Sequence, residues 1–293
     1  MKQPDVLFMG YSKAGSTFLQ KFFQTHPQVF IDRIAARHLF SPSRVSFSER
    51  DQQQARQAKL YISMQERLCE SVIYKKPELW PQLKWEGVPW NDLSEAIDIA
   101  PRKIASAWRA RFPNSKVLMV IRDQVTWLSS AYSYYLDHLQ PGHRAFLDFC
   151  STSKGRVLLR AGHYDLTIQA YVDEFGPKKV KVLRFEQLSE NRTDFLRELC
   201  EFFDLSPMSF TAPPQNSGRS KTAAKILKHV PSWAPDTPSL RKLGKRLIPL
   251  LGSNTKYTLS PEEKRFIQSF YGLSNLRTMQ LLSGAKSFTL CGQ

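Results

Sequence analysis

Acidic residues are scarce in this chain of 293 residues. It contains 26 aspartates and glutamates against 42 lysines and arginines, so its formal net charge is +16. A positive field of this size attracts anions and speeds their capture. The composition therefore favours an anionic partner, which leaves an anionic small molecule, an acidic glycan, a membrane surface and nucleic acid open.

Long apolar runs and paired cysteines are also missing. No run approaches the roughly 20 residues that cross a membrane, and residues 1–5 lack the apolar stretch of a secretory signal. We therefore expect a cytoplasmic protein without a transmembrane segment. The cysteines stand far apart with no Cys-x-x-Cys pair, which argues against a structural zinc site and favours free thiols. They are Cys69, Cys150, Cys200 and Cys291.

The most informative stretch covers residues 6–23. It begins with four apolar residues, as a buried parallel strand does, continues through a loop bounded by Gly10 and Gly15, and then places apolar residues at helical spacing. A strand, a glycine-bounded loop and a helix can form a phosphate cradle, because the backbone comes close to the ligand and the helix N-terminus attracts an anion. The structural alternative is an ordinary strand-to-helix turn with an exposed lysine.

The lysine of this loop is not where a nucleotide P-loop has it. A Walker A loop carries its lysine directly after the second glycine, whereas Ser16 stands there and Lys13 lies inside the loop. A P-loop nucleotide kinase would therefore lack its main cation. This function remains an alternative, and a non-catalytic protein that binds anions or nucleic acid is another.

A second segment has the same organisation. Residues 116–121 are predicted to form a buried strand, which ends at Arg122, and helix-forming sequence that contains Ser130 follows. Residues 29–31, 71–74 and 179–188 are predicted as further strands, and the polar, proline-free residues 52–68 as a helix. Another predicted helix begins at residues 162–164 and ends at residues 175–177. Alternation of strands and helices predicts an α/β fold with a parallel sheet, whose ligands bind at the carboxyl ends of the strands.

These segments resemble the sulfotransferases that use 3′-phosphoadenosine 5′-phosphosulfate (PAPS). The 5′-phosphosulfate loop of that family carries lysine, a small residue, glycine, serine or threonine, and threonine in the order found at residues 13–17. Its 3′-phosphate motif, arginine followed by serine and tyrosine, is matched by Arg122, Ser130 and Tyr132, although Asp123-Gln124 and Trp127-Leu128 depart from the usual residues between them. Residues 182–188 are similar to a third family segment, Val-Leu-Arg-Phe-Glu-x-Leu.

The resemblance implies a three-layer α/β fold of the P-loop NTPase-like sulfotransferase type, with a central parallel sheet flanked by helices. It covers about residues 5–220, and we expect residues 1–293 to form a single domain with residues 221–293 as its helical C-terminal extension. The implied reaction is in-line transfer of a sulfuryl group from PAPS to a hydroxyl or amine of a small-molecule or carbohydrate acceptor. The product would be adenosine 3′,5′-bisphosphate (PAP), and neither a metal nor a nucleic-acid partner is expected.

The resemblance also assigns site residues. Lys13 would stabilise the leaving phosphate as a catalytic residue, and a set of loop, strand-end and helix residues would bind the cofactor. That set is Lys13, Ala14, Gly15, Ser16, Thr17, Arg122, Ser130, Gly218 and Arg219.

The general base is harder to assign. The glutamate that many relatives carry before a His-Phe-Phe-like stretch is missing, because residues 35–40 read Ala-Ala-Arg-His-Leu-Phe. His38 is the first candidate, since histidine is suited to proton transfer near neutral pH. Asp32 and His163 are the other candidates. An acceptor that needs no base, or a catalytically inactive PAPS-binding protein, would also fit.

Overall fold

The computed structural model describes residues 2–11, 13–32, 47–66, 93–138, 145–211 and 258–283. Within them lies a parallel sheet of five strands in the order β2-β3-β1-β4-β5. The strands are β1 (Val6–Gly10), β2 (Val29–Asp32), β3 (Leu60–Glu66), β4 (Lys116–Ile121) and β5 (Val180–Arg184). This sheet confirms the predicted parallel α/β architecture.

Helices alternate with the strands along the described chain. The helices before β4 are α1 (Ser16–Thr25), α2 (Glu49–Gln57) and α3 (Leu93–Arg111). Those between β4 and β5 are α4 (Gln124–His138), α5 (Phe146–Ser151), α6 (Ser153–Ala161) and α7 (Tyr164–Phe175). After β5 come α8 (Phe185–Glu190), α9 (Arg192–Phe203) and α10 (Pro261–Leu282).

The chain divides into two compact units. The first contains the described residues within Met1–Asp123, Arg160–Ala212 and Tyr271–Gln293, and so holds the whole sheet. The second contains the described residues within Gln124–Leu159 and Pro213–Phe270. In the second unit the ring of Tyr132 packs against Phe146 and Phe149, with both pairs of ring centroids 5.3 Å apart.

Helices cover both faces of the sheet in the first unit. Phe8 of β1 meets Phe23 of α1 edge to face at 6.3 Å between centroids. The hydroxyl of Tyr171 on α7 lies 3.0 Å from Sδ of Met9, the next residue of β1. Because successive side chains of a strand point to opposite faces, α1 and α7 lie on opposite sides of the sheet. The three layers predicted from the sequence are therefore present.

The central strands are fully buried, which explains their apolar sequence. Val6, Leu7, Phe8 and Met9 are all 0% exposed. Since β1 lies between β3 and β4 and helices cover both faces, no side of it meets water. The apolar run from which the strand was predicted is thus a consequence of its central position.

The helix predicted over residues 52–68 is wrong in its second half. Helix α2 ends at Gln57, and residues 60–66 form β3 between β1 and β2. In this register Leu7 is paired with Ser63 and Asp32 is paired with the same serine from the other side. Pairing with two neighbouring strands therefore overrides the helical tendency of this polar stretch.

None of the helices in the described ranges is both long enough and apolar enough to span a membrane. The two cysteines in those ranges, Cys150 and Cys200, are free and buried.

Candidate active site

The loop between β1 and α1 contains two residues in the left-handed backbone region. Lys13 has φ 63° and Gly15 has φ 84°. The amide of Ala14 donates a hydrogen bond to the carbonyl of Tyr11 at 3.3 Å, which closes the turn. Gly15 is the N-cap residue of α1 and offers no side chain to cap its first amides. A helix N-terminus of this kind is suited to an anion, which the amide dipoles attract.

Helix α7 packs against the start of this loop. Tyr11 is buried, and its hydroxyl donates a hydrogen bond to Thr167 Oγ1 at 3.2 Å. Its ring lies edge to face against Tyr164 with centroids 4.7 Å apart. The hydroxyl of Tyr164 donates to the carbonyl of Arg122 at 2.8 Å. One helix therefore fixes both the start of the loop and the end of β4.

Arg122 joins the end of β4 to the loop. Its Nη1 donates to the carbonyl oxygen of Lys13 at 2.8 Å, and its guanidinium carbon lies 4.6 Å from the centroid of the Phe185 ring. Burial lowers the pKa of Arg122 from its ordinary value, while Glu186 and other nearby groups act in the opposite direction. An arginine starts from so high a pKa that its guanidinium keeps its charge at neutral pH.

The first turn of α8 completes this arrangement. A Cβ added to Gly15 would lie 2.8 Å from Cδ2 of Phe185, so the loop and the ring are already in close contact. The carboxylate of Glu186 accepts a hydrogen bond from the backbone amide of Asp123 at 2.9 Å. Residues that follow β1, β4 and β5 thus meet at the carboxyl edge of the sheet, around the N-terminus of α1.

The model of the sulfotransferase domain family matches residues 3–230, which is most of the chain. The chain belongs to the sulfotransferase family. Among curated proteins, no sequence match is found.

Solved structures of other sulfotransferases are similar to this one in fold. A sulfotransferase from Alicyclobacillus acidocaldarius is 14% identical with a TM-score of 0.59, and 97% of each chain is covered. Mouse sulfotransferase SULT7A1, complexed with PAP, is 10% identical with a TM-score of 0.45, over 95% of this chain and 89% of the other. The sulfotransferase domain from the curacin biosynthetic pathway is 13% identical with a TM-score of 0.43, over 93% and 99%. The first likeness agrees with the predicted sulfotransferase fold.

The sulfotransferase structure brings several of the predicted cofactor residues together. Lys13, Ala14 and Gly15 form the loop, Ser16 and Thr17 begin α1, and Arg122 contacts the loop from β4. Ser130 lies half-buried on α4, in the second unit. Gly218, Arg219 and the candidate base His38 fall outside the described residues, as does a strand predicted at 71–74.

Both alternative bases have partners in this sulfotransferase. The carboxylate of Asp32 accepts hydrogen bonds from the hydroxyl of Tyr61 and, at 2.7 Å, from Oγ of Ser63. Burial and, to a smaller extent, the charge of Asp32 raise the pKa of Tyr61. This phenol therefore stays neutral and can donate its proton to a hydrogen bond. The ring of His163 lies edge to face against the buried Tyr271 with centroids 5.1 Å apart. In the described ranges, no group of three or more histidines, cysteines, aspartates or glutamates could hold a metal ion.

Phe185, Glu186, Tyr11 and Tyr164 are site residues to which the sequence alone assigned no role. The strand predicted over residues 179–188 is wrong in its second half, because β5 ends at Arg184 and Phe185 and Glu186 begin α8. Their place in a segment that resembles the family is the signal that could have identified them. Their contacts with the loop and with Asp123 depend on β5 lying beside β4 and β4 beside β1.

Proposed function

We propose that this protein transfers a sulfuryl group from PAPS to a hydroxyl or amine of a small-molecule or carbohydrate acceptor. The observation that carries this proposal is the hydrogen bond between Arg122 and the backbone of Lys13. It places two cationic residues and the N-terminus of α1 at one point of the carboxyl edge of the sheet. PAPS carries a phosphate on the 3′ carbon and a phosphosulfate on the 5′ carbon of one ribose. Its binding therefore requires several cationic or N–H groups near each other.

The loop would hold the 5′-phosphosulfate. The amides around Ala14 to Thr17 would receive the 5′-phosphate at the N-terminus of α1, and the side chain of Lys13 would lie beside the bridging oxygen. Negative charge builds on that oxygen as the bond to sulfur breaks. A cation that meets this developing charge lowers the barrier, and removal of one such donor typically costs about a hundredfold or more in rate.

Arg122 and Ser130 would bind the 3′-phosphate. The guanidinium presents several N–H donors in one plane, which suits a phosphate, and its partial burial strengthens such charge-assisted bonds. Gly218 and Arg219 would then close over the cofactor. In this proposal the role of the protein is to position donor and acceptor for in-line displacement and to supply positive charge, without a metal.

The acceptor proton would go to His38, if the acceptor needs a base. Asp32 is less suited to this role, because both of its carboxylate oxygens already accept hydrogen bonds from hydroxyl groups. The net charge of +16 favours an acceptor that is itself anionic, such as an acidic glycan. A cytoplasmic small molecule is the alternative acceptor.

Two measurements test the proposal. In calorimetry, PAP should bind more tightly than ATP with magnesium, and equal or better affinity for ATP–magnesium would favour the kinase alternative and contradict PAPS use. Incubation with labelled PAPS and a panel of hydroxylated and amino acceptors should give a product with the mass shift of one sulfate. PAP binding without any transfer would indicate a catalytically inactive PAPS-binding protein.

A further inference from the structure

Phe185 contacts both halves of the proposed cofactor site. The guanidinium carbon of Arg122 lies 4.6 Å from the centre of its ring, within the limit of about 6 Å for a cation–π contact. The edge of the same ring lies so close to Gly15 that a Cβ at that position would be 2.8 Å from Cδ2. The ring therefore contacts both Gly15 of the loop and the guanidinium of Arg122.

The orientation of Arg122 that this ring supports is the one that reaches the loop. From this position Nη1 donates to the carbonyl of Lys13, a bond that spans 109 residues of chain. Lys13 has φ 63°, a conformation that non-glycine residues adopt only where their surroundings hold them. The bond from Arg122 is one restraint of this kind.

We propose that Phe185 is a positioning residue that holds Arg122 on the carbonyl of Lys13, so that Arg122 shapes the 5′-phosphosulfate loop as well as binding the 3′-phosphate. This inference rests on the proposed function. Its consequence is that a ligand without a 3′-phosphate also depends on Arg122 and Phe185. If Arg122 served the 3′-phosphate alone, such a ligand would not be affected by either residue.

The test compares two nucleotides by calorimetry. Adenosine 5′-phosphate carries only the phosphate that the loop would bind, whereas PAP carries both phosphates. Arg122→Ala should raise the dissociation constant of adenosine 5′-phosphate about tenfold, because one charge-assisted hydrogen bond to the loop is lost. Phe185→Leu should raise it about threefold to tenfold, the range of a partly buried cation–π contact.

A double-mutant cycle shows whether Phe185 acts through Arg122. The double variant should bind adenosine 5′-phosphate within about twofold of Arg122→Ala alone, because the ring has nothing left to position. Additive losses would mean that Phe185 contacts the nucleotide itself and would overturn the proposal. Phe185→Tyr, which keeps the ring, should stay within about twofold of the unchanged protein.

The chain offers a matched control at the other end of β4. Lys116 begins that strand, and its Nζ lies 4.7 Å from the centroid of Phe202, which is half-buried as Phe185 is. Phe202→Leu therefore removes the same kind of contact away from the loop and should leave the binding of both nucleotides unchanged. If Phe185→Leu does not fold, Phe185→Met replaces it in the cycle, because the flexible methionine side chain fills an irregular gap more easily at about the same volume.

The outcomes separate this inference from the proposed function. PAP binding tenfold or more tighter than adenosine 5′-phosphate to the unchanged protein would support PAPS use. If that holds but Arg122→Ala and Phe185→Leu leave adenosine 5′-phosphate binding unchanged, the positioning role is wrong and the function stands. If the unchanged protein binds neither nucleotide, both are overturned.

Discussion

Replacing Gly15 with alanine tests how closely the loop packs against α8. The substitution carries two separate costs. The backbone of Gly15 has φ 84°, which an L-residue adopts at a cost of about 1–2 kcal/mol. The added Cβ would also lie 2.8 Å and 3.0 Å from two ring carbons of Phe185 and 3.3 Å from Cδ2 of Leu188, so the ring must shift.

A second glycine provides a control without overpacking. Gly176 also has a positive φ, 81°, and a Cβ there would meet nothing within 4 Å. Its ψ of 152° lies in a region that is essentially restricted to glycine, whereas Gly15 has ψ 8° in the left-handed region. Gly176→Ala should therefore show a backbone cost of about 1–3 kcal/mol with no added contact. Gly15→Ala should cost about 2–4 kcal/mol, because overpacking adds roughly 1–2 kcal/mol when the obstacle is a side chain that can move.

Urea denaturation followed by tryptophan fluorescence measures both variants, since Trp108 and Trp127 are fully buried. Binding of PAP provides the second measurement. A shifted Phe185 ring would displace Arg122, so Gly15→Ala should weaken PAP binding about tenfold or more, whereas Gly176→Ala should leave it unchanged. A loss of stability by Gly15→Ala no larger than the backbone cost of about 1–2 kcal/mol, together with unchanged PAP binding, would refute the argument from contact with Phe185.

The remaining predictions concern the loop lysine, the base and the buried thiols. Lys13→Ala should lower turnover about a hundredfold with a much smaller effect on PAP affinity. Lys21→Ala on α1 is the control. Near-full activity of Lys13→Ala would mean that Lys13 is an ordinary loop residue. His38→Ala should lower turnover about a hundredfold at unchanged PAP affinity. The unchanged protein should lose activity as the pH is lowered through about 6.5, because imidazole gains a proton there. An active His38→Ala variant with the same pH profile would rule out His38 as the base. Burial raises the pKa of Cys150 to about 12 and also raises that of Cys200, so both thiols stay protonated at pH 8. Iodoacetamide should then label them in urea but not in the native protein, and native labelling detected by mass spectrometry would contradict this.

The strands differ in how well local sequence predicts them. Strand β1 and residues 117–121 of β4 are runs of apolar residues or glycine, because helices or neighbouring strands cover them, so a short window of sequence is sufficient to predict them. Strand β3 mixes apolar residues with Ser63 and ends in Gln-Glu. Ser63 is fully buried, yet its hydroxyl is satisfied by Asp32 from the paired position on β2. Such a strand can be recognised only once its partners are known, and the helix predicted there was wrong for that reason.

The site could be predicted in part for a similar reason. Local sequence and family resemblance identified Lys13 and Arg122 separately. Their contact follows from the sheet order, which places β4 beside β1, and the part played by Phe185 requires β5 to be next to β4 as well. The amide of Asp123 and the carboxylate of Glu186 are likewise 63 residues apart. The spacing of residues within one segment cannot predict these contacts between different strands.

The position of Lys13 within the loop connects the sequence to the proposed chemistry. In a Walker A loop the lysine follows the second glycine and belongs to the helix, where its backbone is unstrained. Lys13 precedes that glycine and takes the left-handed conformation, which costs about 1–2 kcal/mol for a residue with a side chain. Tyr11, held by Thr167 and Tyr164, fixes the start of the loop, and Arg122 holds the carbonyl of Lys13 itself. The strain is thus offset by residues of α7 and by Arg122 directly after β4, so a loop that looks local in sequence depends on two distant segments of the chain.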